Sequence, residues 1–200
     1  MSTLFLTRYA GFIFDMDGTL IDTMPAHLKA WQQTAQHFNF PFEQSWIHSL
    51  GGMPSFKIAS EINKKYRLSL VPMTVSKFKM SAFAKLKFHG DNIDCTHEVL
   101  ERYQGQKKMA VGTGSQRDSA MHLLGRANLL DKLDAVVSAT DVENHKPHPD
   151  TFLLAAQKLE LAPTECVVFE DTEIGKQAAH AAGMDCVMVE NGVLVFYPLQ

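Results

Sequence analysis

Pairs of acidic residues follow two separate apolar segments of the chain. Asp15 and Asp17 come after the first segment, and Glu170 and Asp171 come after another segment nearer the C-terminus. Two unit charges about 4 Å apart repel by about 1 kcal/mol in water and by about 4 kcal/mol at an effective dielectric near 20. Carboxylates that meet therefore need a compensating cation, and an all-oxygen ligand set suits Mg²⁺ better than zinc. Helix capping would explain a single acid, but paired acids after two segments favour a metal site.

A hydroxyl and a lysine follow two further apolar segments. Thr113 is followed by Gly114 and Ser115, and a hydroxyl beside glycine at the end of a strand suits a phosphate oxygen. Lys146 precedes a proline and can neutralise both the carboxylates and a transferring phosphoryl group. Each signal alone is weak, because a turn explains the glycines and a solvated surface explains the lysine.

Five short apolar segments predict the strands that position these residues. They are rich in β-branched or aromatic residues, as is typical of strands buried on both faces. The segments are residues 11–14, 109–111, 135–137, 166–169 and 186–189. Helical patterns at 119–130, 150–159 and 173–182 alternate with the later segments, so we expect an α/β fold with a doubly wound, parallel, Rossmann-like sheet. Ligands bind at the carboxyl ends of the strands in such sheets.

Residues 22–89 interrupt the alternation of strands and helices. They carry helical patterns at 26–38, 55–66 and 75–88, and Thr23 is predicted to cap the first of these helices with its hydroxyl. We therefore predict a small helical domain at 22–89, inserted into an α/β domain formed by 1–21 and 90–200.

Two local signals mark the C-terminal part of the chain. Gly183 is predicted to end the preceding helix. Asn191-Gly192 predicts a hairpin turn before a short antiparallel strand at 193–197.

The bulk composition excludes several classes of protein. The net charge of −3 argues against electrostatic binding of nucleic acid or anionic membranes. No segment approaches the roughly 18 apolar residues of a membrane span, and no signal peptide is recognisable, so a cytoplasmic monomer is expected. The three cysteines lack metal-binding or disulfide spacing and are interpreted as core thiols. The histidines other than His27 are interpreted as surface or loop residues.

The four motifs together resemble those of the haloacid dehalogenase superfamily. They are Asp15-x-Asp17-Gly18-Thr19, Thr113, Lys146-Pro147 and Glu170-Asp171, and the resemblance covers essentially the whole chain. The helical insert is similar to the cap of the β-phosphoglucomutase-like subgroup, which Asp22, Thr23, His27 and Trp31 also fit. Within it, the chain looks most similar to bacterial phosphatases acting on fructose 1-phosphate and 6-phosphogluconate.

The resemblance implies a mechanism. Asp15 would attack phosphorus and form an aspartyl-phosphate, while Asp17 protonates the leaving oxygen and then activates water. Mg²⁺ would be held by Asp15, the backbone carbonyl of Asp17, and Asp171, with Glu170 nearby. Thr113 and Lys146, with neighbouring Gly114 and Ser115, would hold the phosphoryl oxygens.

Three residues of the insert are predicted to meet the substrate. They are His27, Lys57 and Lys79. For His27 an alternative stays open, a helix histidine that packs beside Trp31 without contacting the site.

Two other functions compete with phosphatase activity. A phosphohexomutase needs a cap cation for a second phosphate, but residues 51–57 contain no arginine and only Lys57 can substitute. A catalytically idle binding module is expected to have lost a motif, and none is lost. The sequence therefore favours the phosphatase.

Overall fold

The computed structural model describes residues 3–199, and its centre is a sheet of six strands. The strands are β1 Gly11–Phe14, β2 Lys108–Gly112, β3 Ala135–Val137, β4 Cys166–Glu170, β5 Asp185–Glu190 and β6 Val193–Tyr197. They stand in the order β3-β2-β1-β4-β5-β6, and β1 to β5 run parallel to one another. β6 pairs antiparallel with β5 through the turn at Asn191-Gly192. Helices flank the sheet, so the predicted fold class is confirmed.

Eight α-helices accompany these strands. They are α1 Met24–Phe38, α2 Gln44–Ser49, α3 Ser55–Tyr66, α4 Pro72–Ala84, α5 Asp94–Tyr103, α6 Arg117–Arg126, α7 Asp150–Lys158 and α8 Glu173–Ala181. Single turns of 3-10 helix lie at Leu130–Lys132 and Pro163–Glu165, and a longer one at Thr3–Arg8. Sequence patterns missed α2 and α5. The first is only six residues long. In the second, charged residues stand between the buried ones, which are Thr96, Val99, Leu100 and Tyr103, so its apolar pattern is weak.

The register of the central strands brings their carboxyl ends level. Phe14 of β1 lies opposite Val111 of β2 on one side and Phe169 of β4 on the other. All four residues of β1 are buried, and the rings of Phe14 and Phe169 stack with centroids 4.6 Å apart. Whatever follows β1, β2 and β4 in sequence must therefore emerge at one edge of the sheet.

Helices α1–α4 lie between β1 and α5 and cover this edge. They enclose an apolar cluster of their own around Trp31, Ile58 and Ile62. Residues of α1 and α4, such as Ala30 and Phe83, belong instead to the cluster on one face of the sheet. The four helices fall within residues 22–89, and the division into two domains stays a prediction. We refer to α1–α4 as the cap.

Several details differ from the sequence-based expectations. The Thr23 hydroxyl makes no capping bond to α1, so that prediction was wrong; it donates to a side chain described below. His89 and His145 lie in loops, which was one of the two predicted alternatives, but their side chains are buried. Cys166 and Cys186 are free, buried thiols as predicted, whereas Cys95 is free but only half-buried, so the prediction of a core thiol was wrong there. No helix within residues 3–199 is long and apolar enough to span a bilayer.

Candidate active site

Three carboxylates meet where β1 and β4 end. One oxygen each from Asp15, Glu170 and Asp171 lies within 4.8 Å of the other two. Gly18 makes this approach possible, because a Cβ at this position would lie 2.2 Å from Oδ2 of Asp171, and its φ of +92° disfavours other residues. The level ends of β1 and β4 thus turn two distant acidic motifs into one cluster.

Lys146 enters this cluster from the loop that follows β3. Its Nζ donates to Asp15 Oδ1 at 2.6 Å and to Glu170 Oε1 at 2.8 Å, and the lysine is 1 % exposed. Burial by itself lowers the pKa of Lys146, but the two carboxylates more than reverse this and raise it above its usual value. The lysine is therefore a fixed positive charge in contact with Asp15.

One ammonium group does not balance three carboxylates. Burial raises the pKa of Asp15 to about 8, and the charges of Glu170 and Asp17 add to this rise against the effect of Lys146. Burial, followed by the charges of Glu170 and Asp15, likewise raises the pKa of Asp171 well above its usual value. A divalent cation would relieve this repulsion, and carboxylate oxygens suit Mg²⁺.

Glu170 organises the cluster through its second oxygen. Oε2 accepts hydrogen bonds from the backbone N–H groups of Asp171 and Thr172 and from the Thr172 hydroxyl. Both Glu170 oxygens thus have protein donors, whereas Asp171 accepts one long bond of 3.3 Å from the Thr19 hydroxyl. Of the three carboxylates, those of Asp15 and Asp171 are therefore the ones that could still bind a cation.

The Asp17 side chain points away from the acidic cluster. Its Oδ1 accepts from the Thr23 hydroxyl at 2.6 Å and faces His27 Nε2 at 3.1 Å. Its Oδ2 accepts from the Ser115 hydroxyl at 2.7 Å and from the Thr113 hydroxyl at 3.4 Å. Burial alone would raise the pKa of Asp17, but His27 and the hydroxyl donors hold it well below its usual value. Asp17 is therefore a carboxylate, held by both cap and core.

His27 connects Asp17 to a second buried lysine. Lys79 Nζ lies 2.6 Å from His27 Nδ1, so the ammonium donates to that nitrogen, and Nε2 carries the hydrogen that points to Asp17. Burial and the nearby Lys79 charge lower the pKa of His27, while burial lowers the pKa of Lys79 to about 8. The His27 ring stacks on Phe83 with centroids 4.2 Å apart and lines the cavity described below, and its contact with a substrate stays a prediction.

A cavity of about 60 Å³, partly open to solvent, lies between this cluster and the cap. Its walls combine the acids with cap residues that are largely apolar. They are Asp15, Asp17, Met24, His27, Leu28, Trp31, Ile47, Gly51, Gly52, Met53, Ser55, Ile58, Lys79, Met80, Gly114, Ser115 and Gln116. Lys57 is not among the described lining residues. It lies near His145, whose pKa is lowered by burial first and by the Lys57 charge to a smaller extent.

Comparisons with known proteins agree with this geometry. Residues 12–189 match the model of the haloacid dehalogenase-like hydrolases. The chain belongs to this family.

Relatives of this hydrolase narrow the assignment. It is 43 % identical over 182 residues to the fructose-1-phosphate phosphatase YqaB of Escherichia coli, covering 91 % of this chain and 97 % of that protein. It is 30 % identical to the β-phosphoglucomutase of Bacillus subtilis, covering 90 % and 83 % of the two chains. A solved hydrolase from Pseudomonas syringae superposes with a TM-score of 0.83 at 27 % identity, covering 92 % and 85 %. The chain is thus a phosphoric monoester hydrolase in the β-phosphoglucomutase-like subgroup.

Most predicted site residues of this hydrolase lie together. Asp15, Glu170, Asp171 and Lys146 form the acidic cluster, while Thr113, Ser115, His27 and Lys79 surround or lie behind Asp17. Sequence reasoning missed the cap residues Met53, Ser55 and Met80 and the core residue Gln116 as cavity walls. These residues belong to no motif, and only the packing of cap on core brings them to the site.

Proposed function

We propose that this hydrolase is a Mg²⁺-dependent phosphatase of small phosphorylated sugars that works through an aspartyl-phosphate on Asp15. The observation that carries the proposal is the contact of Asp15 with Lys146 inside an acidic cluster able to bind a divalent cation. The 43 % identity to a fructose-1-phosphate phosphatase supports the substrate class.

Asp15 acts as the nucleophile. Its carboxylate attacks phosphorus, and Lys146 and the Thr113 hydroxyl hold the phosphoryl oxygens as charge develops on them. Asp15, Asp171 and the backbone carbonyl of Asp17 would hold Mg²⁺, which would supply the positive charge that lets one anion approach another. Glu170 keeps Lys146 and the loop of Asp171 in place through its hydrogen bonds.

Asp17 moves the protons. In the free protein it is a carboxylate, and the negative charge of an incoming phosphate ester raises its pKa and favours proton uptake. Protonated Asp17 then gives its proton to the departing sugar oxygen. The carboxylate that remains takes a proton from the water that hydrolyses the phosphorylated Asp15. Thr23, Ser115 and His27 orient it for both steps.

The cavity supports a small sugar as the leaving group. Apolar cap residues such as Trp31 and Ile58 shape its walls, while Ser55 and Lys79 offer polar groups for hydroxyls. Fructose 1-phosphate and 6-phosphogluconate are the candidates to test first.

The β-phosphoglucomutase relative makes phosphohexomutase the second candidate. A mutase must bind a second phosphate in the cap, and Lys79 is the only lysine or arginine among the described residues lining the cavity. Its ammonium already donates to His27. We therefore expect free phosphate from fructose 1-phosphate. Glucose 6-phosphate formed from β-glucose 1-phosphate, with catalytic glucose 1,6-bisphosphate and no free phosphate, would instead identify a mutase.

The decisive experiment replaces the nucleophile. Asp15→Asn is expected to release no phosphate from fructose 1-phosphate with Mg²⁺, because an amide cannot form the acyl-phosphate. Asp118→Asn, at an exposed position in the first turn of α6, serves as the control and is expected to retain full activity. Turnover retained by Asp15→Asn would falsify the nucleophile assignment. A wild-type protein inactive on every phosphate ester would point to a binding module.

A further inference from the structure

The loop between α2 and α3 lies directly on the core loop that follows β2. A Cβ added to Gly114 would lie 2.1 Å from the carbonyl oxygen of Gly52 and 2.9 Å from its carbonyl carbon. Both distances are shorter than any real Cβ contact, and a backbone carbonyl cannot rotate away as a side chain can. Glycine at 114 is therefore what allows the cap loop to come this close to the core.

The same cap loop also rests on the residues that organise the acidic cluster. A Cβ on Gly51 would lie 3.2 Å from Thr172 Cγ2, and one on Gly52 would lie 3.3 Å from Thr172 Oγ1 and 3.7 Å from Lys146 Cδ. Thr172 donates to Glu170, and Lys146 contacts Asp15. The loop thus lies on the groups that fix the nucleophile.

A third contact holds the C-terminal end of the loop. The ring of Phe56 meets the ring of His145 edge to face, with centroids 5.7 Å apart, and His145 is anchored through Nε2 to the Ala139 carbonyl. Between these contacts, the loop supplies Gly51, Gly52 and Met53 to the cavity wall, and Ser55 follows as the first residue of α3. The position of the loop therefore fixes the size of the cavity.

We propose that Gly114 is a positioning residue that sets how closely the cap loop covers Asp15, and thereby determines specificity for sugar phosphates over esters that do not use the cavity. This inference rests on the proposed function and deepens it. The missing side chain of Gly114 acts through Gly52, in addition to any part that the Gly114 backbone takes in holding the phosphate.

A methyl group at 114 has to push the cap loop outward by about 1 Å to reach an ordinary contact distance. A misplacement of this size can reduce the rate by about 100-fold where binding groups must align. A sugar ester depends on that alignment, because its hydroxyls contact the cavity wall and its poor leaving group needs the proton of Asp17. p-Nitrophenyl phosphate depends on it less, because nitrophenolate leaves without a proton and makes no hydroxyl contacts.

The test compares kcat/KM for fructose 1-phosphate and p-nitrophenyl phosphate in wild type and Gly114→Ala. The ratio of the two values is expected to fall by about tenfold or more, with a rise in KM for the sugar ester. Gly125→Ala is the matched control, since a Cβ there makes only an ordinary 3.5 Å contact with Leu130. Its ratio is expected to equal that of the wild type.

A second variant, Phe56→Ala, tests the same proposal if Gly114→Ala does not fold. Phe56→Ala removes the ring that packs on His145 without adding bulk to the core loop, and it is expected to lower the same ratio by about threefold through a looser loop. Circular dichroism establishes whether each variant is folded.

Two results would overturn the proposal. An unchanged ratio in folded Gly114→Ala would show that the loop contact does not set specificity. An equal loss on both esters would show that the methyl group disturbs the phosphate-holding loop itself. A wild-type protein that hydrolyses neither ester would contradict the proposed function instead, so the two failures are distinguishable.

Discussion

Lys146 matters at the scale of single residues because its charge is the only one that the described chain places within hydrogen-bonding distance of both Asp15 and Glu170. Salt bridges on the surface contribute about 0–1 kcal/mol, but breaking a buried pair leaves a charge without compensation and costs about 3–5 kcal/mol. The loss of stability on breaking a buried ion pair can therefore be compared directly with the loss on breaking an exposed one.

Lys146→Met is expected to lower the free energy of unfolding by about 3–5 kcal/mol in the absence of divalent cations, and kcat by about 10²–10³-fold. Urea unfolding and phosphate release measure the two effects. Lys64→Met breaks an ion pair with Glu61 in which the lysine side chain is 72 % exposed, and is expected to change stability by less than about 0.5 kcal/mol. Equal effects of the two substitutions would contradict the buried ion network.

Thr23 tests the role of the hydrogen bonds to Asp17. Thr23→Val keeps the shape but removes the 2.6 Å bond, so the pKa of Asp17 is expected to rise and the basic limb of the kcat/KM profile, on which the proton donor is lost, to move to higher pH. We expect about a tenfold loss of kcat. Thr34→Val is the control, because the Thr34 hydroxyl bonds only to the Ala30 carbonyl within the same helix. A pH profile identical to that of the wild type would remove Thr23 from the proton-transfer machinery.

At the scale of elements, strand ends and helix ends decide where side chains point. The level ends of β1 and β4 make the acidic cluster, and α8 ends so that β5 can begin beside β4. Gly183 directly follows the C-cap of α8 with a φ of +77° and no heavy atom within 4 Å of an added Cβ. Any cost of a side chain there is therefore conformational and not steric.

Gly183→Ala is expected to destabilise the protein by about 1 kcal/mol, because an L-residue with a side chain resists the left-handed conformation. Gly125→Ala lies inside α6 at ordinary φ and is expected to stabilise the protein by about 0.5–1 kcal/mol. Thermal unfolding of both variants measures the difference, and both should retain activity. If both substitutions changed the stability in the same direction, backbone conformation would not explain their effects.

At the scale of the whole molecule, folding gathers charge that only a cation can balance. Folded Asp15 has a pKa of about 8, so between its ordinary pKa and about pH 8 the folded state binds more protons than the unfolded state. Stability without metal therefore falls as the pH rises through this range. Asp171 changes in the same direction.

Mg²⁺ is accordingly expected to raise the unfolding temperature more at about pH 8 than at about pH 5, where protons already neutralise the acids. At saturating Mg²⁺ we expect a rise of about 5 °C at the higher pH. Differential scanning fluorimetry with and without Mg²⁺ measures this, and Asp171→Asn should lose most of the effect. If Mg²⁺ raised the unfolding temperature equally at both pH values, this would argue against a cation bound by the acidic cluster.

The sequence by itself determined the strands and the order of the motifs, and it predicted Asp15, Asp17, Lys146 and Asp171 as site residues. Buried strands need continuous apolar runs, and the chemistry needs particular residue types at their ends, so both are local signals. The tertiary structure alone decided that Thr23 bonds to Asp17 instead of capping α1, that Lys79 reaches Asp17 through His27, and that Gly114 supports the cap loop. These relations depend on how the cap packs on the sheet across many residues of intervening chain, and no local pattern encodes that distance.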